Sequence, residues 1–344
     1  MNPLISVCLL LYKPGFYLSS CLKSIFEQSF RDFELLVIDN NSSDGTTEKA
    51  EEILKSEAGQ TNWRLIANKK NSGFAAGHNQ GIRESSGEFI LLLNQDIVLD
   101  KDFLKNIIEV FKKDSKIGAA QGKLLRLKVE GQNLEKSDLI DNTGLEIFKN
   151  RRIVARGQGQ KDGGQFQETE EIFGADGAAP VFRRQALEDA KISLDNLGEY
   201  FDEDFFMYKE DVDLAWRLRL LDWKAVFEPK AVAWHSRTAG ESAAKNYRGI
   251  LRERRKIGSL AKYFSFKNQR LTQIKNEQPN LFFKHLFWWL PKEILSWIYV
   301  LIFEHYTFRA IKDFFRQAPR AWEKRKIIMR RKRISEKEME GWFK

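Results

Sequence analysis

The sequence is poor in cysteine and carries no long apolar run. Its 344 residues include two cysteines, Cys8 and Cys21, which fall in a predicted strand and a predicted helix. Two cysteines at these positions suit neither a zinc site nor a disulfide framework, and they favour a reducing, cytosolic setting. The first apolar segment, "LISVCLLL", has no basic flank before it and no small-residue cleavage site after it. It is therefore typical of a first strand rather than of a signal peptide.

Several common nucleotide and hydrolase motifs are also absent. No G-x-G-x-x-G follows the first strand, where "LLYKPGFY" stands instead, and G-x-x-x-x-G-K-[ST] occurs nowhere. These absences argue against dinucleotide dehydrogenases and P-loop NTPases. The Ser, His and Asp residues show no nucleophile-elbow signature, which argues against a serine hydrolase.

Charge is distributed unevenly along the chain. Residues 241–344 contain 25 Lys and Arg against 10 Asp and Glu, a net charge of +15, whereas residues 1–240 carry a net charge of −6. The longest charge-free stretch of the basic part, Ile294 to Phe303, has ten residues, about half of the roughly 20 that span a bilayer. The cluster of Trp288, Trp289 and Trp297 among Lys and Arg favours a segment that lies on an anionic membrane surface. We therefore predict a domain over 1–240 and a helical, basic and aromatic, membrane-associating extension over 241–344.

Strand and helix patterns alternate through the first 125 residues. Apolar runs such as "FELLVID" and "EFILLLN" are each followed by a helical pattern, such as "DGTTEKAEEILKS" and "KDFLKNIIEVFKK". Strands separated by helices of this length indicate right-handed crossovers and a doubly wound, mostly parallel sheet, a Rossmann-like α/β fold. We predict that residues 126–175 form hairpins and loops that extend the sheet and cover a cleft.

Polar residues follow three of the predicted strands. They stand at Asp39 to Ser43, Asn68 to Gly73 and Asn94 to Asp96. Because such sheets bind ligands at the carboxyl ends of their strands, we expect these three segments to line one site.

Six segments, in chain order, carry a family resemblance. They are "VIDNNSSDGT" (37–46), "NSGFAAGHNQG" (71–81), "LNQD" (93–96), "GADGAAPVFRR" (174–184), "YKEDVDLAWR" (208–217) and "AVAWH" (231–235). Together they resemble glycosyltransferase family 2, within it the rhamnosyltransferase-like branch, over about residues 4–240. The resemblance implies a GT-A fold, a divalent metal, Mg²⁺ or Mn²⁺, and inversion at the anomeric carbon of a nucleotide sugar.

The resemblance assigns a set of residues to the nucleotide-sugar donor. They are Tyr12, Asp39, Asn41, Asn71, Gly73, Asn79, Asn94 and Gln95. Asp39 can accept a hydrogen bond from the imide N–H of uracil or thymine, or it can simply build an Asx turn and helix cap with its neighbours. Gly73 suits close backbone approach to a nucleotide. His78 receives no role.

Asp96 and His235 are the expected metal ligands. A cation held by a carboxylate offsets the charge that develops on a departing diphosphate. The family usually has Asp-x-Asp, whereas Asn94 stands at the first position here, so the diphosphate and water must supply more of the coordination. The alternatives are that Asp96 caps the helix beginning near Lys101 and that His235 has no special role.

Asp211 is the expected catalytic base and Glu210 its rival. Both open a predicted helix, whose positive end favours an ionised carboxylate, and an inverting transfer needs such a base at the acceptor hydroxyl. The alternative is an N-terminal charge preference alone. Asp213 fits a structural role, and Asp176 lies in a segment that lines the acceptor side in the family.

The leading hypothesis is an enzyme that transfers a deoxyhexose such as L-rhamnose from a dTDP- or UDP-sugar. The acceptor is a hydroxyl of a lipid-linked, polyprenyl-diphosphate or surface-polysaccharide precursor, and the enzyme would be cytoplasmic and peripheral on the inner face of the cell membrane. Alternatives are another sugar, such as a UDP-hexose, a non-catalytic sugar-nucleotide sensor and a nucleic-acid-binding protein. The tail aromatics lie in apolar runs and the first 240 residues are acidic, so we expect no nucleic-acid partner. A homo-oligomer is compatible with the sequence.

Overall fold

The computed structural model describes residues 2–194, 197–237, 244 and 247–344. Strands and helices alternate through its first part, as the sequence predicts. The elements are β1 (Ile5–Leu11), α1 (Tyr17–Phe26), β2 (Phe33–Asp39), α2 (Thr46–Glu57), β3 (Asn62–Ala67), α3 (Gly73–Glu84), β4 (Phe89–Asn94), β5 (Ile97–Leu99), α4 (Phe103–Lys113) and β6 (Ile117–Glu130). Strands β1 and β2 are buried along their whole length, which agrees with their unbroken apolar sequence.

Hairpins and short elements make up the middle of the chain. They are β7 (Asn133–Asn142), β8 (Leu145–Ile147), β9 (Ile153–Ala155), β10 (Glu170–Ile172), β11 (Val181–Arg183), α5 (Arg184–Ala190), α6 (Glu210–Leu220) and β12 (Lys224–His235). Strand β7 pairs with β6, and β8 pairs with β9 as a separate two-stranded sheet. The hairpins expected over 126–175 are therefore present.

The main sheet is mixed. Its order is β10-β12-β6-β11-β4-β1-β2-β3, with β5 added to β12 and β7 to β6. The block β4-β1-β2-β3 is parallel, and so is the β12–β6 pair, while β11 lies antiparallel between β4 and β6. This arrangement confirms the α/β, doubly wound, mostly parallel architecture and brings the ends of β1, β2 and β4 to one edge.

Helices dominate the C-terminal part. They are α7 (Tyr247–Lys256), α8 (Ser259–Asn276), α9 (Pro279–Lys284), α10 (Leu286–Phe303), α11 (Phe308–Arg331) and α12 (Glu336–Glu340). In the part of the chain that the structure describes, α10 alone is long and apolar enough to cross a membrane by length and composition. Val300 is its one buried residue. The ten-residue charge-free stretch is thus embedded in an 18-residue apolar helix that also contains Lys292 and Glu293.

The C-terminal helices pack on the N-terminal part of the chain. Arg151 forms a buried ion pair with Glu277, with 2.6 Å between Arg151 Nε and Glu277 Oε2. Phe343 packs against Trp216, with their ring centroids 5.8 Å apart. A division at residue 240 stays a prediction, but these buried contacts tie the helices to the sheet domain.

Candidate active site

The carboxyl ends of β1 and β4 are joined by a pair of reciprocal hydrogen bonds. The N–H of Tyr12 donates to Gln95 Oε1 at 2.7 Å, and Gln95 Nε2 donates to the Tyr12 carbonyl at 3.0 Å. Tyr12 is exposed, and Asn94 and Gln95 are partly exposed at the end of β4. The structure thus brings these three residues together at the edge where the sequence predicts a binding site.

Asp39 builds the turn that follows β2. Its Oδ1 accepts from the Ser42 N–H at 3.1 Å, and the hydroxyls of Ser42 and Thr47 donate to its two oxygens. Asn41 adopts a left-handed conformation in this turn, with φ at 66°. Asp39 therefore forms the Asx turn that the sequence analysis gave as one of its two roles. A carboxylate has about four acceptor positions, so these bonds leave capacity for a further donor.

Asn40 joins the turn to the loop before α3. Its Nδ2 donates to Asn71 Oδ1 at 3.0 Å and to the Gly73 carbonyl at 3.1 Å, while its Oδ1 accepts from the Ser72 N–H at 3.2 Å. Gly73 has φ at +89°, and a Cβ there would lie 2.5 Å from the ring of Phe206. The close approach that requires glycine is thus to Phe206 of this chain.

Asn79 makes structural contacts. It is completely buried on α3, and its amide both donates to the Phe201 carbonyl and accepts from the Phe201 N–H, each at 2.8 Å. Asn79 Nδ2 also donates to Glu203 Oε1 at 2.9 Å. These contacts fasten α3 to the chain before α6, and the expected contact of Asn79 with the donor stays a prediction.

Asp96 and His235 face each other at the end of the sheet. Strand β5 pairs antiparallel with β12, which places His235 opposite Ile97 and brings Asp96 Oδ2 to 3.4 Å from His235 Nε2. The other ring nitrogen, Nδ1, donates to Asp141 Oδ2 at 2.8 Å. Asp141 is fully buried and also accepts from Arg237 Nη1 at 3.0 Å. Helix α4 begins at Phe103 after Asp102, so Asp96 is not its cap.

The donor set at this pair fits a divalent cation. The hydrogen bond to Asp141 fixes the ring so that Nε2 points at Asp96, the arrangement in which a carboxylate orients a metal-binding imidazole. Burial alone would lower the pKa of His235, but Asp96 and Asp141 raise it to about 10, so a cation at Nε2 must displace a proton. No group of three or more His, Cys, Asp or Glu able to hold a metal exists among the described residues. Asp96 and His235 would therefore supply two ligands and leave further positions open.

Glu210 and Asp211 open α6, as the sequence predicts, but their environments differ. Glu210 is buried, and its Oε2 finds no hydrogen-bond partner among the described residues. Burial, followed by the charge of Asp211, raises the pKa of Glu210 well above its ordinary value. Asp211 is partly buried and accepts from the Val212 N–H at 2.7 Å and the Gly177 N–H at 3.2 Å. Burial, followed by the charge of Asp176, raises the pKa of Asp211 to about 6.

One short segment links Asp211 to the end of β4. The Gly177 N–H donates to Asp211, and the Ala178 carbonyl accepts from the Asn94 N–H at 2.9 Å. Arg237 interacts electrostatically with acids from both groups. Burial lowers the pKa of Arg237, but the charges of Asp141, Asp176 and Asp211 together raise it above the ordinary value. The acidic start of α6 and the Asp96–His235 pair therefore border the same edge of the sheet.

Asp141 and Arg237 were missed in the sequence analysis, where Asn40 received no individual role within the segment Asp39 to Ser43. Asp141 is 94 positions from the histidine that it orients, and no local pattern marks it. Arg237 stands two residues after His235, and Asn40 stands directly after Asp39, so proximity to an assigned residue was the only available signal.

The mixed α/β sheet with acidic and imidazole groups at its carboxyl edge agrees with the GT-A fold that the sequence resemblance implies. The model for glycosyl transferase family 2 matches residues 6–190, and the chain belongs to that family. Poly-beta-1,6-N-acetyl-D-glucosamine synthase of Staphylococcus epidermidis is 27% identical over 230 residues, 67% of this chain and 49% of the relative. The chain thus spans about half the length of the curated relatives it matches.

Solved structures share the fold. S. aureus TarS 1-349 in complex with UDP-GlcNAc superposes with a TM-score of 0.55 at 16% identity, covering 96% of this chain and 91% of that one. The mannosyltransferase PcManGT from Pyrobaculum calidifontis, in complex with GDP-Man and Mn²⁺, has a TM-score of 0.53 at 15% identity and covers 96% and 86%. At these identities the likeness establishes the fold alone.

Proposed function

We propose that the enzyme transfers a sugar with inversion from a dTDP- or UDP-activated donor, with a divalent cation at Asp96 and His235 and with Asp211 as base. The observation that carries this proposal is the convergence of the Asp96–His235 pair and Asp211 on one sheet edge, joined through Gly177 and Ala178. The match to glycosyl transferase family 2 shows the family. The class of donor and the roles of the residues are the proposed part.

The chemistry assigned to the chain is proton removal and orientation. Ionised Asp211 takes the proton of the acceptor hydroxyl as that oxygen bonds to the anomeric carbon, and the bond from that carbon to the diphosphate oxygen breaks on the opposite face. A bound cation would offset charge on the diphosphate. Asp141 holds the His235 ring in its orientation, and the Gly177 N–H holds the Asp211 carboxylate.

Asp39 is proposed to bind the nucleotide base of the donor. Three hydrogen bonds leave Asp39 about one acceptor position, which suits the single imide N–H of uracil or thymine, whereas the N1–H and amino group of guanine pair with a carboxylate through two. The motif series favours dTDP-L-rhamnose as donor. The N-acetylglucosamine synthases among the relatives favour a second candidate, a UDP-N-acetylhexosamine.

A donor screen by calorimetry tests the proposal. We expect dTDP-rhamnose or UDP-GlcNAc to bind at least about tenfold more tightly than GDP-mannose, because each tenfold needs only about 1.4 kcal/mol, one net hydrogen bond to a charged group. Binding should strengthen when Mg²⁺ or Mn²⁺ is present. The matched control is Asp39→Asn, which should erode the preference over GDP-mannose. Preference for the guanosine donor, or metal-independent binding, would contradict the proposal.

The exposed apolar surface of helix α10 supports the proposal of a membrane-bound acceptor. Its outward residues include Phe287 at 86% exposure, Trp288 at 53% and Ile298 at 46%, and it belongs to the basic part of the chain, of net charge +15 over 241–344. Aromatic and aliphatic side chains flanked by Lys and Arg suit the boundary between headgroups and acyl chains. A hydroxyl acceptor carried on a polyprenyl diphosphate would be presented at such a surface. We therefore place the enzyme on the cytoplasmic face of the cell membrane.

Vesicle sedimentation tests this placement. The triple variant Phe287→Ser, Trp288→Ser and Ile298→Ser should bind vesicles with one-third anionic lipid at least about tenfold more weakly, because burial of one such side chain contributes about 1.5–3 kcal/mol. Leu197→Ser, at a residue 74% exposed in the sheet domain, is the control and should bind as the parent does. Added salt should weaken binding of both parent and control. Equal binding of the triple variant and the parent would show that α10 does not contribute to membrane binding.

A further inference from the structure

The loop that leads into α6 has an unusual backbone. A short 3-10 helix, Glu203–Phe205, is followed by Phe206, Tyr208 and Lys209 with φ at 63°, 68° and 73°. Each of these L-residues is disfavoured in the left-handed region by about 1–3 kcal/mol. Such a conformation persists only where surrounding structure holds it, and it ends at the first turn of α6, which carries Asp211.

Asn268 on α8 holds the carbonyls of this loop. Its Nδ2 lies 3.0 Å from the Phe205 carbonyl oxygen, 2.9 Å from that of Met207 and 2.7 Å from that of Tyr208. Asn268 is completely buried. The two N–H donors of this amide are shared among the three carbonyls. Because buried backbone groups need partners, these carbonyls cannot relax to an ordinary conformation without losing the amide. The side chain therefore fixes the left-handed loop.

The end of α8 fixes both flanks of the same segment. Lys275 Nζ lies 2.6 Å from Asp202 Oδ2 and 2.8 Å from Asp213 Oδ2, and all three groups are buried. Asn276 Nδ2 donates to Asp213 Oδ1 at 2.8 Å. Asp202 precedes the strained loop, and Asp213 stands two residues beyond Asp211. One lysine thus spans the loop from its start to the first turn of α6.

From these contacts we propose that α8 positions the catalytic base: Asn268, with Lys275 and Asn276, holds residues 202–213 in the conformation that aims Asp211 into the site. The inference rests on the proposed role of Asp211. Asn268 touches no reacting atom in this proposal and acts as a positioning residue. The C-terminal extension then completes the active site in addition to any role at the membrane, so its catalytic contribution persists with a water-soluble acceptor.

Asn268→Leu is the principal test, in the full chain with a soluble acceptor. The change keeps the size of the side chain and removes the donor. We expect kcat to fall by about 10- to 100-fold, because a displacement of about 1 Å at the reacting groups can cost 10²-fold. Donor Kd by calorimetry should change far less than kcat, by no more than about threefold, since Asp39 and Asp96 belong to other segments, while Gly73, an expected donor residue, packs against this loop at Phe206. The matched control is Gln273→Leu, an amide half-buried on the same helix, with kcat expected to stay within about twofold.

A double-mutant cycle separates positioning from general loss of structure. Glycine adopts the φ of Tyr208 without penalty, so Asn268→Leu should lower kcat by less than about threefold when Tyr208→Gly is already present. A purely structural role would give the same loss in both backgrounds. If Asn268→Leu does not fold, Asn268→Ser, which keeps a short donor, takes its place with an expected fall of threefold or more. Unchanged kcat in a folded Asn268 variant, or an additive cycle, overturns the inference.

The variant Asp211→Asn, measured in parallel, distinguishes the role of Asp211 as base from the role of Asn268 as positioning residue. If that variant keeps its kcat, the assignment of the base is wrong whatever Asn268 does. If Asp211→Asn loses activity while folded Asn268→Leu keeps full kcat, Asp211 remains the assigned base and the positioning role of Asn268 is contradicted.

Discussion

Asp211→Asn is expected to lower kcat by about 10²- to 10⁴-fold, the contribution typical of a positioned general base. The amide keeps the shape of the side chain and can still accept the Gly177 N–H, so the fold and the neighbouring segment should be preserved. Donor Kd, measured by calorimetry with metal present, should change by less than about twofold. Full turnover in this variant would mean that the acceptor proton leaves by another route.

Glu210→Gln distinguishes the two acids. Burial and the neighbouring charge of Asp211 raise the pKa of Glu210 well above its ordinary value, which favours its neutral form, and a glutamine resembles that form in shape and charge. We expect kcat to fall by no more than about threefold. A loss in Glu210→Gln as large as that in Asp211→Asn would transfer the role of base to Glu210.

The pH profile gives the same assignment an independent readout. Asp211 is active as a base only when ionised, so kcat/KM should fall as pH falls through about 6, the value to which burial and Asp176 raise its pKa. Glu210, Lys209 and Arg237 also bear on this carboxyl. Asp176→Asn removes one negative charge beside it, so the acid limb should move to lower pH. An acid limb that does not move in Asp176→Asn would contradict the assignment.

The core of the fold was predictable because its signals are local. Runs such as Ile5–Leu11 and Phe33–Asp39 are apolar without alternation, as in strands buried on both faces, and polar turn residues follow them. Strand β11 gave no comparable signal. It has three residues, and its place between β4 and β6 depends on pairing with strands distant in sequence.

The site was predictable only where a side chain follows its own strand. Asp96 and Asp211 fall at element boundaries that the sequence marks, whereas Asp141 and Asn268 act across 94 and 63 positions of sequence. Their partners are set by the order of strands and by helix packing, which no short window contains. The burial of Asn79 could not be predicted from its motif, because it depends on which face of α3 packs inward.

The largest effect on cation binding is expected at Asp96. Asp96→Asn removes the one carboxylate that faces His235 Nε2, so Mn²⁺ binding in the presence of donor, followed by electron paramagnetic resonance or calorimetry, should weaken by at least about 100-fold. We expect kcat/KM to fall by about a thousandfold. Metal binding by the Asp96→Asn variant equal to that of the parent would place the cation elsewhere.

Asn94→Asp is the complementary variant, because it restores the Asp-x-Asp spacing. A second carboxylate beside Asp96 adds like charge near Asp141 and should destabilise the chain without metal. Burial raises the pKa values of Asp96 and Asp141, but His235 lowers both below their ordinary value, so both acids already carry charge that a third would oppose. With metal the same carboxylate gains a partner, so affinity for Mn²⁺ should rise by about tenfold. A ligand that binds only the folded state raises stability by RT ln(1 + [L]/Kd), so the metal-induced rise in Tm should be larger than in the parent. Equal rises in Tm for Asn94→Asp and the parent would show that position 94 lies outside the coordination sphere that Asp96, His235 and the donor diphosphate define.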